Sequence, residues 1–453
     1  MKLLGKTGLL IGLLICFSSS LHAQQVNEFT LQNCIDYALK NNEDIRVSEM
    51  EKKRADGTVG ETRAQGLPQI NASATLTNNY KVPTSFIPAI FFDPNAGEGE
   101  FAPVQFGTQY TGNAGITLDQ MIFDGSYFVG LEAARTFREL STKDHIRTQI
   151  DVIANVTKAY YTVLVNQEQL SFVEKNFQRL DTLLNETDIM YQNGFAEKID
   201  VNRIRIQYNN SKIQRKKLQD FQDISLKLLK FQMGMSANES LSVTGNLDDV
   251  ELSLNELEVV DFDYKQRIEY SQLETNQALA RLDMKNNKVQ YLPTIDFFAQ
   301  IGKNAGTTTS SDLFKFGDNW FGNGAFGATI KLPIFDGLRK SYGIQKSKIQ
   351  IAQIDLQKQR LKNSIDVEIY QARTNLNNNL VNLETQKENL TLAEEVYRVS
   401  KIKYQEGVGS NLEVIDAEIA YKSAETDYYN AVYDALISKV DLDKAYGRLF
   451  EQN

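Results

Sequence analysis

The chain has 453 residues, with 49 basic against 58 acidic side chains and only two cysteines and two histidines. Once an N-terminal leader is set aside, Cys34 and His145 alone remain of the last two types, so no Cys/His metal cluster, internal disulfide or Cys-His catalytic pair can be built, and no cofactor is expected. Without Lys2 and Lys6 the net charge is about −11, the wrong sign for a phosphate-binding surface, which argues against nucleic acid as a partner.

The leader is read from Lys2 and Lys6, an apolar run from Leu9 to Phe17, and the small and polar residues up to Ala23. This is the layout of a cleavable secretory signal over 1–23, with the mature chain starting near Gln24. Cys16 lacks the small residues that precede a lipoprotein cysteine, so no lipid anchor is expected. Cys34 reads as a small buried apolar residue near a helix start. Beyond the leader nothing approaches the roughly 20 consecutive apolar residues of a spanning helix, although a secreted chain can still enter a membrane as strands.

In chain order, a helix is predicted over 31–64, followed by a weakly alternating strand at Ile70, Ala72, Ala74 and Leu76. Residues 81–107 form a long loop with Phe86, Ile87, Ile90, Phe91, Phe92, Phe101 and Phe106 among prolines and glycines; packing over a barrel mouth or interfacial anchoring is the favoured reading, ahead of ligand binding. A second strand passes through Ala114, Ile116 and Leu118. The stretch 131–193 has no glycine or proline and reads as one helix. A return helix over 197–234 and an acidic linker over 238–263 complete the first half.

The second half repeats the plan with a helix at 264–289 and strands at Ile295, Phe297, Ala299 and Ile301 and at Phe326, Ala328, Ile330, Leu332 and Ile334. Those apolar residues alternate with Asp296, Gln300, Thr329 and Lys331, giving one greasy and one wet face. A Gly/Thr/Ser loop over 303–320 separates the two strands. Another stretch free of glycine and proline fills 344–406, and a helix over 411–447 ends the chain. Along 344–406, Leu361, Ile365, Ile369, Ala372, Leu376, Leu380, Leu383, Leu390 and Ala393 make the narrow apolar seam of coiled-coil packing, a pattern that an antiparallel bundle core would share. At 1.5 Å per residue each long helix would measure roughly 95 Å, too long for a compact domain.

The chain is a tandem duplication. Tyr191-Gln192-Asn193-Gly194 is answered by Tyr404-Gln405-Glu406-Gly407 at a spacing of 213, and Ile122-Phe123-Asp124-Gly125 by Ile334-Phe335-Asp336-Gly337 at 212. The predicted repeats are 24–237, with a β-hairpin at about 68–123 and a long helix over 125–193, and 264–453, with a hairpin at about 293–335 and a long helix over 337–406. The fold class is mainly α with a membrane β-barrel. Strands cross a bilayer only as a closed barrel, and four strands cannot close around a pore, so several chains must associate.

Together, the leader, the tandem halves, a hairpin in each, the glycine-free helices and a Tyr-x-x-Gly turn at each helix end resemble the TolC outer-membrane factor family over essentially the whole mature chain. The resemblance implies a homotrimer with a 12-stranded barrel in the lipid of the Gram-negative outer membrane. It also implies a periplasmic tunnel of helices, meeting a periplasmic adaptor (membrane fusion) protein and an inner-membrane transporter, and no enzyme activity. Gly194 and Gly407 would mark the periplasmic tips, with adaptor contact around Gly407, Val408, Gly409 and Ser410.

The family's constriction carboxylates match Glu413 and Asp416, the first being Glu where Asp is familiar, and their spacing of three puts both on one helix face. Repeated around an axis they would form acidic rings that select cations, with Asp200 of the first half beside them and Arg203 at the position corresponding to Asp416. The bland reading of each acid is a solvated charge favoured by the helix dipole. The family's tyrosine-aspartate latch matches Tyr404 and Asp200, and its arginine link falls on Gly409, so that second latch is expected to be missing. Two other readings compete: a non-transporting structural or adhesive surface protein, and a secreted hydrolase using paired carboxylates, although no acid pair is tied to a compact cleft.

Overall fold

The computed structural model describes residues 28–245, 247, 262–315, 317 and 319–450. The expected leader, and the linker apart from its two ends and residue 247, fall outside the described residues. Two compact units are present. One gathers residues 50–143 and 271–359, and the other the residues up to Glu49, Asp144–Tyr270 and those from Arg360 on.

The first unit is organised by a four-stranded antiparallel sheet of β2 (Gln69–Asn78), β5 (Tyr110–Phe123), β7 (Thr294–Thr307) and β8 (Trp320–Lys331), in the order β2-β5-β7-β8. Register explains the alternation seen in sequence. Ile70 faces Leu118, Ala72 faces Ile116, Ile116 in turn faces Ile301, and Ala299 faces Phe326, so the apolar residues of all four strands share one face. Much of that face is bare within the chain, with Ile70 68 %, Ile301 69 % and Phe326 82 % exposed, while Ala305 and Trp320 beside the β7–β8 loop are covered. Asn71, Thr75, Asn113, Thr117, Gln300, Asn304, Asn323 and Thr329 line the opposite face. Among the described residues, β2 and β8 each pair on one side only, leaving two open edges.

Several boundaries differ from expectation. The loop over 81–107 contains a hairpin of β3 (Thr84–Pro88) and β4 (Phe101–Gln105). Its prolines disguise it: Pro88 and Pro103 are tolerated because each strand of a two-stranded pair has a free side. β7 runs on to Thr307 and β8 starts at Trp320, whose indole N–H donates to the Leu313 carbonyl at 3.0 Å in a small cluster with Ala305, so the intervening loop is shorter than predicted. Leu332 and Ile334 lie beyond β8, where Pro333 has no N–H for the ladder.

In the second unit helices form the core. The helices of the chain are α1 (Leu31–Asn41), α2 (Glu43–Ala64), α3 (Gly125–Gln192), α4 (Lys198–Met233), α5 (Ile268–Val289), α6 (Arg339–Gln405) and α7 (Asn411–Ala445). α3 and α6 are unbroken over 68 and 67 residues. Cys34 and Ala38 of α1, Val156 and Val163 of α3, Leu229 and Met233 of α4 and Leu436 of α7 meet in one core. Ala372, Leu376 and Leu380 of the predicted seam pack with Ala435, Leu442, Ala445 and Tyr446 in another. A short parallel pair, β1 (Glu28–Phe29) with β6 (Ser242–Val243), ties the segment before α1 to the first residues of the expected linker.

The helix predicted over 31–64 is broken at Asn42, which leaves α1 with ψ 133°. Its side-chain oxygen accepts from the N–H groups of Asp44 and Ile45, opening α2, while its amide donates to the Gln232 carbonyl. α5 starts at Ile268 instead of 264, because Arg267 is extended and buried, donating to Glu269, Glu368 and the Ala445 carbonyl. α6 starts at Arg339, two residues late, since Gly337 and Leu338 both have positive φ, 67° and 68°. No described helix is long and apolar enough to cross a membrane.

On α4, Ile199, Ile206 and Ile213 recur every seven residues and are half or more exposed, an apolar seam that this chain does not cover.

Candidate functional site at the helix turns

Two turns join the long helices to their return helices, and both are built alike. After α3, Gly194 takes φ 80°, its N–H bonds to the Tyr191 carbonyl, and Phe195 N–H reaches back to Met190. After α6, Gly407 takes φ 74°, its N–H bonds to Tyr404, and Val408 N–H reaches back to Lys403. This is the six-to-one closure of a helix end on a left-handed residue, which a side chain would strain. Each glycine is followed by an apolar residue held out in solvent, Phe195 80 % and Val408 79 % exposed.

The entries into the return helices differ. Ser410 caps α7, its hydroxyl accepting from the Glu413 N–H at 3.2 Å, whereas Glu197 at the start of α4 makes no side-chain cap. Gly409 N–H also folds onto the Lys403 carbonyl, and a Cβ at Gly409 would fall 3.0 Å from the Lys403 side chain and 3.1 Å from its backbone. Any side chain there would make Lys403 give way by a few tenths of an ångström.

Counting in from the glycines, Asp200 corresponds to Glu413 and Arg203 to Asp416. In the first half the two neutralise each other, with Arg203 Nη1 3.7 Å from Asp200 Oδ1. In the second half both positions are acidic and exposed, with no ion-pair partner among the described residues, while Val414, Ile415 and Ala417 between and beside them are buried. The α7 N-terminus lends partial positive charge to Glu413 in its first turn.

Tyr404 is half-buried. Burial, and then the negative charge of Asp200, push its phenol above the ordinary range, which brings the two predicted latch residues into electrostatic contact. No hydrogen bond joins them among the described residues, Asp200 being turned to Arg203. Phe195 was not singled out in sequence; the only sign of it is its place matching Val408 in the duplication.

Coiled helices of nearly seventy residues, joined to a sheet with one continuous apolar face, define a membrane channel component. An outer membrane efflux protein family model matches residues 34–235 and 266–448. The chain belongs to that family: it is an outer-membrane channel protein and not an enzyme, with its helices in the periplasm. It is 22% identical to the outer membrane protein TolC of Escherichia coli, over 98% of this chain and 87% of that protein. It is likewise 22% identical to the probable efflux pump outer membrane protein TtgC of Pseudomonas putida, over 92% of this chain and 82% of that one. The fold matches the Campylobacter jejuni CmeC outer membrane channel with a TM-score of 0.72 at 19% identity, covering 93% of this chain and 86% of that one.

Proposed function

We propose that this chain is the outer-membrane conduit of a tripartite efflux or secretion system, passively conducting small molecules delivered by a periplasmic adaptor and an inner-membrane transporter. The observation that carries the reading is the four-stranded sheet, apolar on one face, polar on the other and open at β2 and β8. In lipid, open edges are intolerable, so copies of the chain must close the sheet edge to edge, and three copies give 12 strands around a polar lumen. The exposed heptad seam of α4 is a second surface suited to self-association.

At the turns, Glu413 and Asp416 would line the constriction as acidic rings, with the Asp200 charge quenched by Arg203. Tyr404 and Asp200 serve as the aperture latch through charge and burial. Gly194 and the Gly407-Val408-Gly409-Ser410 turn, together with Phe195, present the adaptor contact. The test is single-channel conductance of detergent-extracted protein in a planar bilayer. Cation-selective steps that lose selectivity in the Glu413→Gln, Asp416→Asn double variant are expected. Folded, inserted protein that gives no steps would refute the conduit.

A further inference from the structure

Along the helices leading to the turns, a half-buried arginine has no ion-pair partner among the described residues. Arg179 of α3 has its guanidinium carbon 5.7 Å from the Phe172 ring, 5.8 Å from Tyr397 of α6 and 5.7 Å from Tyr421 of α7. Tyr397 and Tyr421 stack at 5.9 Å with 8° between planes, and Phe172 meets Tyr421 edge-on at 5.5 Å. The guanidinium thus sits among three aromatic faces. Its Nε and Nη2 are buried and make no hydrogen bond, and the same holds for Glu418 Oε1 and Glu425 Oε2 on α7.

Unmet buried donors and acceptors are costly and ask for a cause. Here both kinds lie in one cluster. Glu418, Tyr421 and Glu425 stand at i, i+3 and i+7 on one face of α7, so the two carboxyls are about 10.5 Å apart along the helix, with Tyr421 between them. Tyr421, which helps form the aromatic seat, lies three residues, about 4.5 Å, from Glu418 and four residues, about 6 Å, from Glu425 along the axis.

We infer that Arg179 is a register lock between α3 and α7 with three stations: the Tyr421 aromatic seat occupied here, and the Glu418 and Glu425 carboxyls. A slide of α7 past α3 by about one turn exchanges one station for the next. Packed helices are known to switch between such discrete positions one turn apart.

The surroundings explain why the middle station is held. Burial pushes Glu425 up to about 9, against the pull of Arg179 and Lys175, with Glu394 of α6 adding to the rise. Glu418 is raised too, by burial, opposed by Arg179, by Lys422 on its own helix and by Lys401 of α6. Lys422 is in turn pushed down by burial. Tyr397, Tyr421 and Tyr429 are all raised, the last by burial and then by Glu425 and by Glu168 of α3. With Glu425 protonated at neutral pH, little draws the guanidinium off the rings; alkaline ionisation leaves a buried carboxylate that attracts Arg179, with Lys175 the other positive charge acting on it.

The lock does not depend on the conduit reading, and its test reads distance. Spin labels are attached to the chain without residues 1–23, which carry Cys16, through Gln178→Cys on α3 and Ser423→Cys on α7, both exposed positions. Cys34 is buried, its thiol pushed up to about 12, and stays unlabelled. Labelled chain is diluted into an excess of unlabelled chain, and the distance distribution is compared at pH 7 and pH 10. A second population, displaced by up to about 5 Å, is expected at pH 10 in the native background and absent from the Glu425→Gln variant. An unchanged distribution, or the same second population in Glu425→Gln, would overturn the lock. Protein that changes register but carries no current would leave the lock standing and remove the conduit.

Discussion

The two helix turns share a backbone and differ in what they carry. Both close on a left-handed glycine and both hold an apolar residue in solvent. Yet the first turn is followed by Asp200 paired with Arg203, and the second by Glu413 and Asp416, neither paired. Duplication preserved the geometry that reverses a helix, while substitution at one position, Arg203 against Asp416, turned a neutral pair into a doubled negative charge. Electrostatic role has therefore diverged while backbone form has not, and each can be probed without the other.

The largest effect should come from the charges. Neutralising both acids in Glu413→Gln, Asp416→Asn is expected to cut the cation-over-anion permeability ratio on the order of tenfold, equivalent to about 1.4 kcal/mol at the narrowest point. The matching Asp200→Asn, Arg203→Gln variant removes no net charge and should leave the ratio nearly unchanged. Reversal potentials in a salt gradient decide it; equal losses in the two variants would erase the distinction between the turns.

The backbone should respond symmetrically. Gly194→Ala and Gly407→Ala each force a Cβ into φ of 80° and 74°, at a cost of about 1–2 kcal/mol apiece. Amide exchange around each turn should accelerate to a similar degree in both variants. Protection unchanged at one of them would mean that the two closures are not equivalent.

Capping comes next and should be one-sided. Ser410→Ala removes the bond to Glu413 N–H and should weaken the start of α7 by about 1 kcal/mol, whereas Glu197→Ala removes no cap at all. Local exchange rates at Val414 and at Val201 offer the comparison, and an equal loss at both would contradict it.

Much of this was legible in the residues. The stretches free of glycine and proline end within a residue of α3 and α6 but start six and five residues late, since Gly130 and Gly343 lie inside those helices, and period-two alternation found all four strands of the main sheet. What escaped detection has physical reasons. β3 and β4 carry prolines that only a two-stranded pair accepts; the break at Asn42 depends on the distant Gln232 carbonyl; and Arg267 delays α5 through partners a hundred and more residues away. At the turns the sequence named Glu413, Asp416 and Asp200, but could not tell that Asp200 is turned to Arg203. Nor could it foresee Arg179, since a half-buried arginine among aromatic rings carries no local signature.

The smallest effect concerns Tyr404, and it sharpens the comparison where the two turns touch. Its phenol is raised by burial and by Asp200, so the folded state holds the proton more tightly than the unfolded chain. The stability this confers is complete below the ordinary tyrosine pKa near 10 and is lost as pH climbs through the raised value. An ionised Tyr404 would also repel Asp200 across the turns. Alkaline pH should therefore loosen the turn region in native protein, and Tyr404→Phe, with no proton to lose, should damp that response while changing neutral-pH exchange only slightly. Exchange of the α4 and α7 first turns between pH 8 and 11, corrected for the intrinsic rate, provides the readout. An identical alkaline response in Tyr404→Phe would assign the loosening to other groups and leave Tyr404 as a packing residue.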